Sequence, residues 1–338
     1  MNIHFQPYLI ALEEELRQVL AVPLHGLAPL YHMMAYHLGW LDEHFQPLQG
    51  STGKRIRPLL CLLACEAAGG DWHNALPAAA AVELVHNFSL IHDDIEDNST
   101  TRRGRTTLWA LWGLAQGINV GDAMYTLAHQ ALTRLRDRGT EPPLILAAVE
   151  ILDKACLELC HGQYLDLAYE SHLEVTEEAY LQMIGGKTAA LLAASTQLGA
   201  LIAEAGEQTE HYRLFGWYLG LAFQMVDDIL GIWGDPATTG KSAADDIRNR
   251  KITLPILFAL RSEVGEALAA LYRQETLSDA DIQRAVALLD RAGARDYVQE
   301  RAAFYEARAL AALDAARARE PVASALRDLA TSLTSRQK

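Results

Sequence analysis

The sequence predicts an all-α fold, on three observations: apolar residues recur at steps of three and four over long windows, Ala and Leu are abundant, and no β-branched run alternates with period two. From Leu76 to His92 the packed face is Ala78, Ala81, Val82, Val85 and Phe88, continued by Ser89 and His92. Similar windows cover Leu144 to Tyr169, Glu177 to Ile202 and Tyr212 to Leu230, and the Ala- and Arg-rich stretch from Glu266 onward is also helical. Breaks fall at Gly69-Gly70-Asp71, between Arg138 and Pro143, and at Gly234-Asp235-Pro236. No repeat period, low-complexity linker or composition shift marks a boundary, so one all-α domain over 1–338 is expected. The most apolar helices, near 76–97, 144–169, 177–203 and 212–230, belong inside the bundle.

The chain has 338 residues, half of them hydrophobic, which is ample for a large core. Its formal net charge of −14 argues against nucleic acid and against an electrostatic grip on anionic membranes. An anionic ligand would therefore need a local basic pocket. The first twenty residues lack a basic segment followed by an apolar one, and apolar runs stop short of a membrane span; a soluble cytoplasmic protein is expected. Cys61 and Cys65, like Cys156 and Cys160, are four apart with apolar neighbours. They suit small core residues in a reducing compartment better than a zinc knuckle.

Two acidic clusters carry the chemistry. In SLIHDDIEDNSTTRRGRTT, helical spacing brings Asp93, Asp94 and Asp97 to a common side, with Arg102, Arg103 and Arg105 just beyond. Like charges at this spacing destabilise a helix, and a hard divalent cation relieves the repulsion. Mg²⁺ takes a few carboxylates together with phosphate oxygens. A solvated acidic helix end is the plainer alternative, disfavoured by the apolar run before the cluster and the arginines after it. The second cluster, Asp227 and Asp228, shares a face with Gln224 and is trailed by Lys241 and Lys251, while Asp235, Asp245 and Asp246 are further acidic candidates. A basic turn, GSTGKRIRP, holds Lys54, Arg55 and Arg57 but lacks P-loop spacing. His86 lies two helical turns before Asp93. A lone helical His is more often a core residue, though here it is placed to donate to a second diphosphate.

GKRIRP, ELVHNFSLIHDDIED, RRGRTT, GQYLDL, GKTAAL, FQMVDD, TGK and RKITLP, in this order from about 53 to 255, resemble the trans-isoprenyl diphosphate synthase (polyprenyl synthetase) family. The resemblance implies a single-domain helical bundle around a deep central cavity, usually a homodimer, that condenses isopentenyl diphosphate with allylic diphosphates. It implies that Asp93, Asp94, Asp97, Asp227 and Asp228 hold Mg²⁺. Arg102, Lys187, Lys241 and Lys251 then contact the allylic diphosphate, and Lys54, Arg57, His86 and Arg103 the isopentenyl diphosphate. Thr188 and Gln224 line the reacting carbons, and Gln163 and Asp166 match the GQxxD segment. The second motif departs from DDxxD: Gly231 stands at its fifth position, as in some geranylgeranyl synthases, and Asp235 is expected to offset the loss through water.

Phe88 and Ser89, one turn before Asp93, are placed to meet the growing tail. One aromatic with an uninserted DDIED resembles geranylgeranyl diphosphate synthases and implies a twenty-carbon product. Farnesyl or longer-chain synthases are the nearest rivals. A terpene cyclase would not need GKRIRP and RRGR. A non-catalytic subunit of a heteromeric synthase would usually have lost aspartates that are present here.

Overall fold

The computed structural model describes residues 5–48, 53–170, 172–235 and 244–335, excluding the side chain of Asp245. Helices α1 (Gln6–Val19), α2 (Ala28–His37), α3 (Ile56–Ala68), α4 (Leu76–Glu96), α5 (Leu108–Trp112) and α6 (Leu114–Thr133) come first. They are followed by α7 (Pro142–Tyr169), α8 (Glu177–Ile184), α9 (Ala190–Ile202) and α10 (Gln208–Trp233). The order continues with α11 (Asp245–Arg248), α12 (Leu254–Leu260), α13 (Gly265–Tyr272), α14 (Asp279–Ala292), α15 (Ala294–Ala315) and α16 (Val322–Thr334).

The helix ends follow local chemistry. Pro77 sits in the first turn of α4, where its missing N–H costs nothing. Thr176 caps α8 by accepting from the Ala179 N–H at 3.1 Å, and Glu177 and Glu178 complement the helix dipole there. Ser278 and Asp281 form a capping box on α14, which ends at Gly293 with φ 69°.

Two features depart from continuous helix. The expected helix from Glu177 to Ile202 is interrupted by a π-turn, Gly185–Ala189, which carries Lys187 and Thr188. Such turns put one extra residue into the helical ladder and re-aim the side chains they carry. The second departure is a β-hairpin. Thr101–Arg102 (β1) pairs antiparallel with Arg105–Thr106 (β2) through Arg103 (φ 53°) and Gly104 (φ 72°). Two successive positive φ angles form the tight turn that matches strand twist.

Contacts group the chain into two compact units. The first comprises Met1–Lys154, Ala194–Tyr212 and Ala316–Val322; the second comprises Ala155–Ala193, Arg213–Ala315 and Ala323–Lys338. In the first, Leu59, Leu60, Leu62 and Leu63 of α3, Val82 and Val85 of α4, and Val120 and Met124 of α6 are buried. In the second, Tyr180 and Met183 of α8 pack in one cluster with Met225 and Ile229 of α10, Ile256 and Leu257 of α12, and Val298 of α15. Each such apolar side chain contributes roughly 1.5–3 kcal/mol on burial. No helix is long and apolar enough to cross a membrane among the described residues. Cys61, Cys65 and Cys156 are buried, but Cys160 is exposed, so the core role expected for all four holds for three.

Candidate active site

In the first unit, the end of α4 carries Asp93, Asp94 and Asp97, and the hairpin folds Arg102 back onto them. Arg102 donates from Nη2 to Asp93 Oδ2 at 2.7 Å and from Nε to Asp94 Oδ1 at 2.6 Å. Asp94 is 2 % exposed, and burial lifts its carboxyl to about 6 against the pull of Arg102. Arg105 anchors the hairpin, donating to the backbone oxygens of Tyr36 and Leu41 at 2.9 and 2.8 Å. The arginines of RRGR therefore divide their work: Arg102 meets the carboxylates, Arg105 holds the turn, and Arg103 stands exposed at its tip.

Next to them is a concentration of positive charge. Arg57 of α3 has Nη1 3.4 Å from His86 Nε2 of α4. Its Nε is buried without a hydrogen-bond partner among the described residues. Burial, assisted by Arg103 and opposed by Glu83, brings the Arg57 guanidinium down to about 10. Burial and then the surrounding arginines hold the His86 imidazole well below its ordinary range. His37 is pushed down to about 3 by burial and by Arg102, Arg103, Arg105 and Arg55. Arg55 differs from its neighbour: it is neutralised by Glu13 at 2.9 Å and Glu83 at 2.6 Å. Alternation along KRIRP thus gives one arginine a structural pairing and leaves the other charged and incompletely bonded. Lys54 lies exposed at the start of this segment.

In the second unit a pocket is lined by Asp166, Lys187, Thr188, Gln224, Asp227, Asp228, Asp246, Lys251 and Thr253, with apolar neighbours. Glycines make its walls possible. A Cβ on Gly162 would lie 2.1 Å from Lys187 N, and one on Gly186 2.4 Å from Glu158 O. The glycines of GQYLDL and GGKTAAL therefore let α7 and the π-turn touch backbone to backbone. That approach puts Lys187 Nζ 2.5 Å from Asp166 Oδ2.

A hydrogen-bond chain crosses the floor of this pocket. Thr188 donates its hydroxyl to Gln224 Oε1 at 2.7 Å, and Gln224 Nε2 donates to Asp228 Oδ1 at 3.0 Å. Asp228 Oδ2 accepts from the Tyr180 hydroxyl at 2.6 Å and from Leu254 N at 3.2 Å. Both Asp228 oxygens are thus engaged by neutral donors. Burial, followed by the repulsion of Asp246, lifts the Asp228 carboxyl to about 7, opposed by the bonds from Tyr180, Gln224 and Leu254. Asp227, its neighbour, is half-buried and lines the pocket.

The structure thus brings Lys187, Thr188, Gln224, Asp227, Asp228 and Lys251 to one pocket, and groups Arg57, His86, Arg102 and Arg103 with Asp93 and Asp94. Lys241, and with it the TGK segment, lies outside the described residues. Phe88 and Ser89 sit where α4 meets α6: Phe88 packs edge-on against Tyr125 at 5.0 Å, and Ser89 donates to the His86 carbonyl at 2.8 Å. Sequence reasoning passed over His37, Tyr125 and Tyr180. None belongs to a charged run, although Tyr180 lies two helical turns before Lys187, a spacing that hints at a shared face.

The carboxylates, lysines and hydroxyl of the second unit form a donor set suited to Mg²⁺ with phosphate oxygens. The first unit offers Asp93, Asp94 and Asp97. Among the described residues no group of three or more His, Cys, Asp or Glu side chains is close enough to hold a metal by itself.

These features are those of a helical bundle that gathers acidic, basic and hydroxyl side chains at the ends of its helices. A model described as polyprenyl synthetase matches residues 39–289, and the chain belongs to that family of trans-prenyltransferases. It is 45% identical over 300 residues to a geranylgeranyl diphosphate synthase of Mycobacterium tuberculosis (strain ATCC 25618 / H37Rv), covering 87% of this chain and 85% of that one. It is 43% identical over 277 residues to a (2E,6E)-farnesyl diphosphate synthase of Mycobacterium bovis (strain ATCC BAA-935 / AF2122/97), covering 80% and 76%. The crystal structure of geranylgeranyl pyrophosphate synthase from Corynebacterium glutamicum, complexed with isoprenyl diphosphate and magnesium, superposes with a TM-score of 0.84. That structure is 28% identical and the match covers 100% of both chains. The all-α isoprenoid synthase fold expected from sequence is therefore the fold observed, and the chain is a Mg-assisted prenyltransferase of this family.

Proposed function

We propose that the protein condenses isopentenyl diphosphate with allylic diphosphates to give geranylgeranyl diphosphate. The observation that carries the substrate assignment is the half-buried Arg57 guanidinium beside His86, with the arginines of the hairpin close to both His86 and His37. Arg57 Nε lacks a partner among the described residues and the neighbouring imidazoles are held neutral by the surrounding arginines and by burial, as expected where a polyanion is to be received. Lys54 and Arg103 complete this isopentenyl diphosphate site at its exposed edge. Arg102, Lys187, Lys241 and Lys251 are assigned to the allylic diphosphate.

Asp93, Asp94, Asp97, Asp227 and Asp228 are the carboxylates proposed to hold or orient the metal. Within the second pair the division is unequal: Asp227 faces the pocket, while Asp228 acts through Gln224. Bound Mg²⁺ supplies charge neutralisation for the diphosphate as it departs. Thr188 gives its hydroxyl hydrogen to Gln224, so its oxygen lone pairs are free to face the allylic carbon as positive charge develops there. The allylic C–O bond breaks, the isopentenyl double bond forms the new C–C bond, and the proton lost in elimination passes to the released diphosphate.

The twenty-carbon product rests on Phe88, backed by Tyr125. Similarity to synthases of both fifteen- and twenty-carbon products leaves the length to be decided by assay. Purified protein with Mg²⁺, isopentenyl diphosphate and a series of allylic diphosphates, analysed by mass spectrometry, should yield the twenty-carbon diphosphate. Phe88→Ala should lengthen the product; an unchanged distribution would refute Phe88 as the floor. We also propose a cytoplasmic homodimer, supported by exposed Leu114 and Ile118 on α6 and exposed Leu157 and Tyr164 on α7. Sedimentation at twice the chain mass is the expected result.

A further inference from the structure

The last turn of α2 is gripped from two sides by arginines. Arg105 of the hairpin donates to the Tyr36 and Leu41 carbonyls at 2.9 and 2.8 Å, and its guanidinium lies 4.0 Å above the Tyr36 ring. The Tyr36 hydroxyl donates in return to the Thr106 carbonyl at 2.6 Å. From the basic turn before α3, Arg55 donates to the Leu38 carbonyl at 3.3 Å. His37 therefore stands between two residues whose carbonyls are held by the two arginine-bearing segments, one on each side. Those segments also meet each other: a Cβ on Gly53 would lie 3.1 Å from Arg103 Nη1.

We propose that His37 is a further contact of the isopentenyl diphosphate, reaching it from α2 as His86 does from α4 and Arg57 from α3. The inference rests on the prenyltransferase reading above and adds to that site a residue that none of the charged motifs contains. The ring of His37 makes no hydrogen bond or ion pair among the described residues. The charges that act on it are those of Arg102, Arg103, Arg105 and Arg55, and it acts in turn on His86. Of the acids on the neighbouring elements, Glu13 and Glu83 meet Arg55, and Asp93 and Asp94 meet Arg102. Glu43, in the segment after α2, acts on Tyr36 beside Arg105.

The cluster of groups around His37 gives the ring two states. Without an anion, burial and the arginines keep it neutral, with its proton affinity down to about 3. A diphosphate placed among the same arginines offsets their charge. The imidazole then takes a proton from solvent and donates to a phosphate oxygen, as a charge-assisted bond. His37 thereby adds positive charge when the anion is present and withholds it when the site is empty, which a lysine or arginine in its place would not do.

The test reads protonation by nuclear magnetic resonance of isotope-labelled histidines in the whole protein. Near pH 5.5 ordinary histidines are protonated, while His37 and His86 remain neutral in the free protein. Adding isopentenyl diphosphate, with EDTA and no allylic substrate, should move both neutral signals to imidazolium positions. His37→Gln should remove one of them. It should also raise the KM for isopentenyl diphosphate by about tenfold to a hundredfold, with kcat and the KM for the allylic diphosphate changing much less. A wild-type KM in His37→Gln overturns the proposal, as does a His37 signal that stays neutral in the complex. If a thermal melt shows that the variant does not fold, the wild-type spectra decide: two moving signals uphold the proposal, and one or none overturns it. If isopentenyl diphosphate fails to bind the wild type, the prenyltransferase reading fails with it. If it binds and His37 alone is indifferent, only the role of His37 is lost.

Discussion

The two acidic clusters look alike in sequence and are built in opposite ways. In the first unit the carboxylates of Asp93 and Asp94 are met by an arginine, and Arg57 and Arg103 nearby add positive charge that keeps the His37 and His86 imidazoles neutral. In the second unit Asp228 is met by a phenol, an amide and a backbone N–H, all uncharged, with Asp246 adding negative charge close by. Burial raises both carboxyls, against the pull of the Arg102 guanidinium at Asp94 and against neutral hydrogen-bond donors alone at Asp228. A buried charge without a counter-charge is costly. The first unit therefore leaves buried positive charge for an anion, and the second leaves buried negative charge for a cation.

Removing an acid from the first cluster should break this arrangement most severely. Asp93→Ala takes away a carboxylate facing Arg102 without disturbing the core. Turnover is expected to fall by at least roughly two orders of magnitude, the scale seen when one preorganised electrostatic group is lost. The melting temperature should change little, because Asp94 still pairs with Arg102. Steady-state kinetics and a thermal melt decide the matter: near-normal turnover would sink the assignment.

The next effect belongs to the second unit. Tyr180→Phe keeps the ring and removes the hydroxyl that bonds Asp228. With one donor gone, Asp228 is less firmly placed, and so is the Gln224 amide that it orients toward Thr188. A lost hydrogen bond to a buried charged group is worth about 1.5–3 kcal/mol, so kcat should fall about tenfold or more while KM changes less. A double-mutant cycle sharpens the point. If Tyr180 acts through Gln224, adding Tyr180→Phe to Gln224→Ala should cost little more; additive losses would assign Tyr180 to packing alone.

The contrast also explains what could be read from sequence. The helices were legible because periodicity is local: the windows at 76–92, 144–169 and 212–230 fall within α4, α7 and α10. The charged motifs were legible because acid and base stand close in the chain. The π-turn at Gly185–Ala189 was not, since it depends on α7 approaching at Gly162. The hairpin was hidden because RRGR shows no alternation, only a Gly that permits one of its two positive φ angles. Pairings such as Tyr180 with Asp228, 48 residues apart, or Gly231 with Asp246, arise from tertiary packing and leave no periodic trace. Sequence assigned Asp227 and Asp228 the same role because adjacent residues look equivalent until a fold buries one of them.

The smallest expected effect tests the positive side of the contrast through pH. His86 in the folded protein is held well below the ordinary histidine value of 6.5, by burial and by Arg57, Arg103, Arg102 and His37. Below pH 6.5 the unfolded chain binds a proton at this residue and the folded chain does not, so stability falls as the medium is acidified. His37 contributes in the same direction. Asp94 acts oppositely: its carboxyl is raised from 3.8 to about 6, so the stability it contributes is present at low pH and lost as pH rises through that window. The wild-type profile sums these trends, and a single substitution separates them. In His86→Gln the fall in melting temperature between pH 7.5 and 5.5 should be smaller than in the wild type, by a few degrees at most. Parallel profiles for the two proteins would mean that His86 takes up its proton in the folded state as readily as in the unfolded one. The arginines around it would then be neutralised by something other than the anion that the site is proposed to receive.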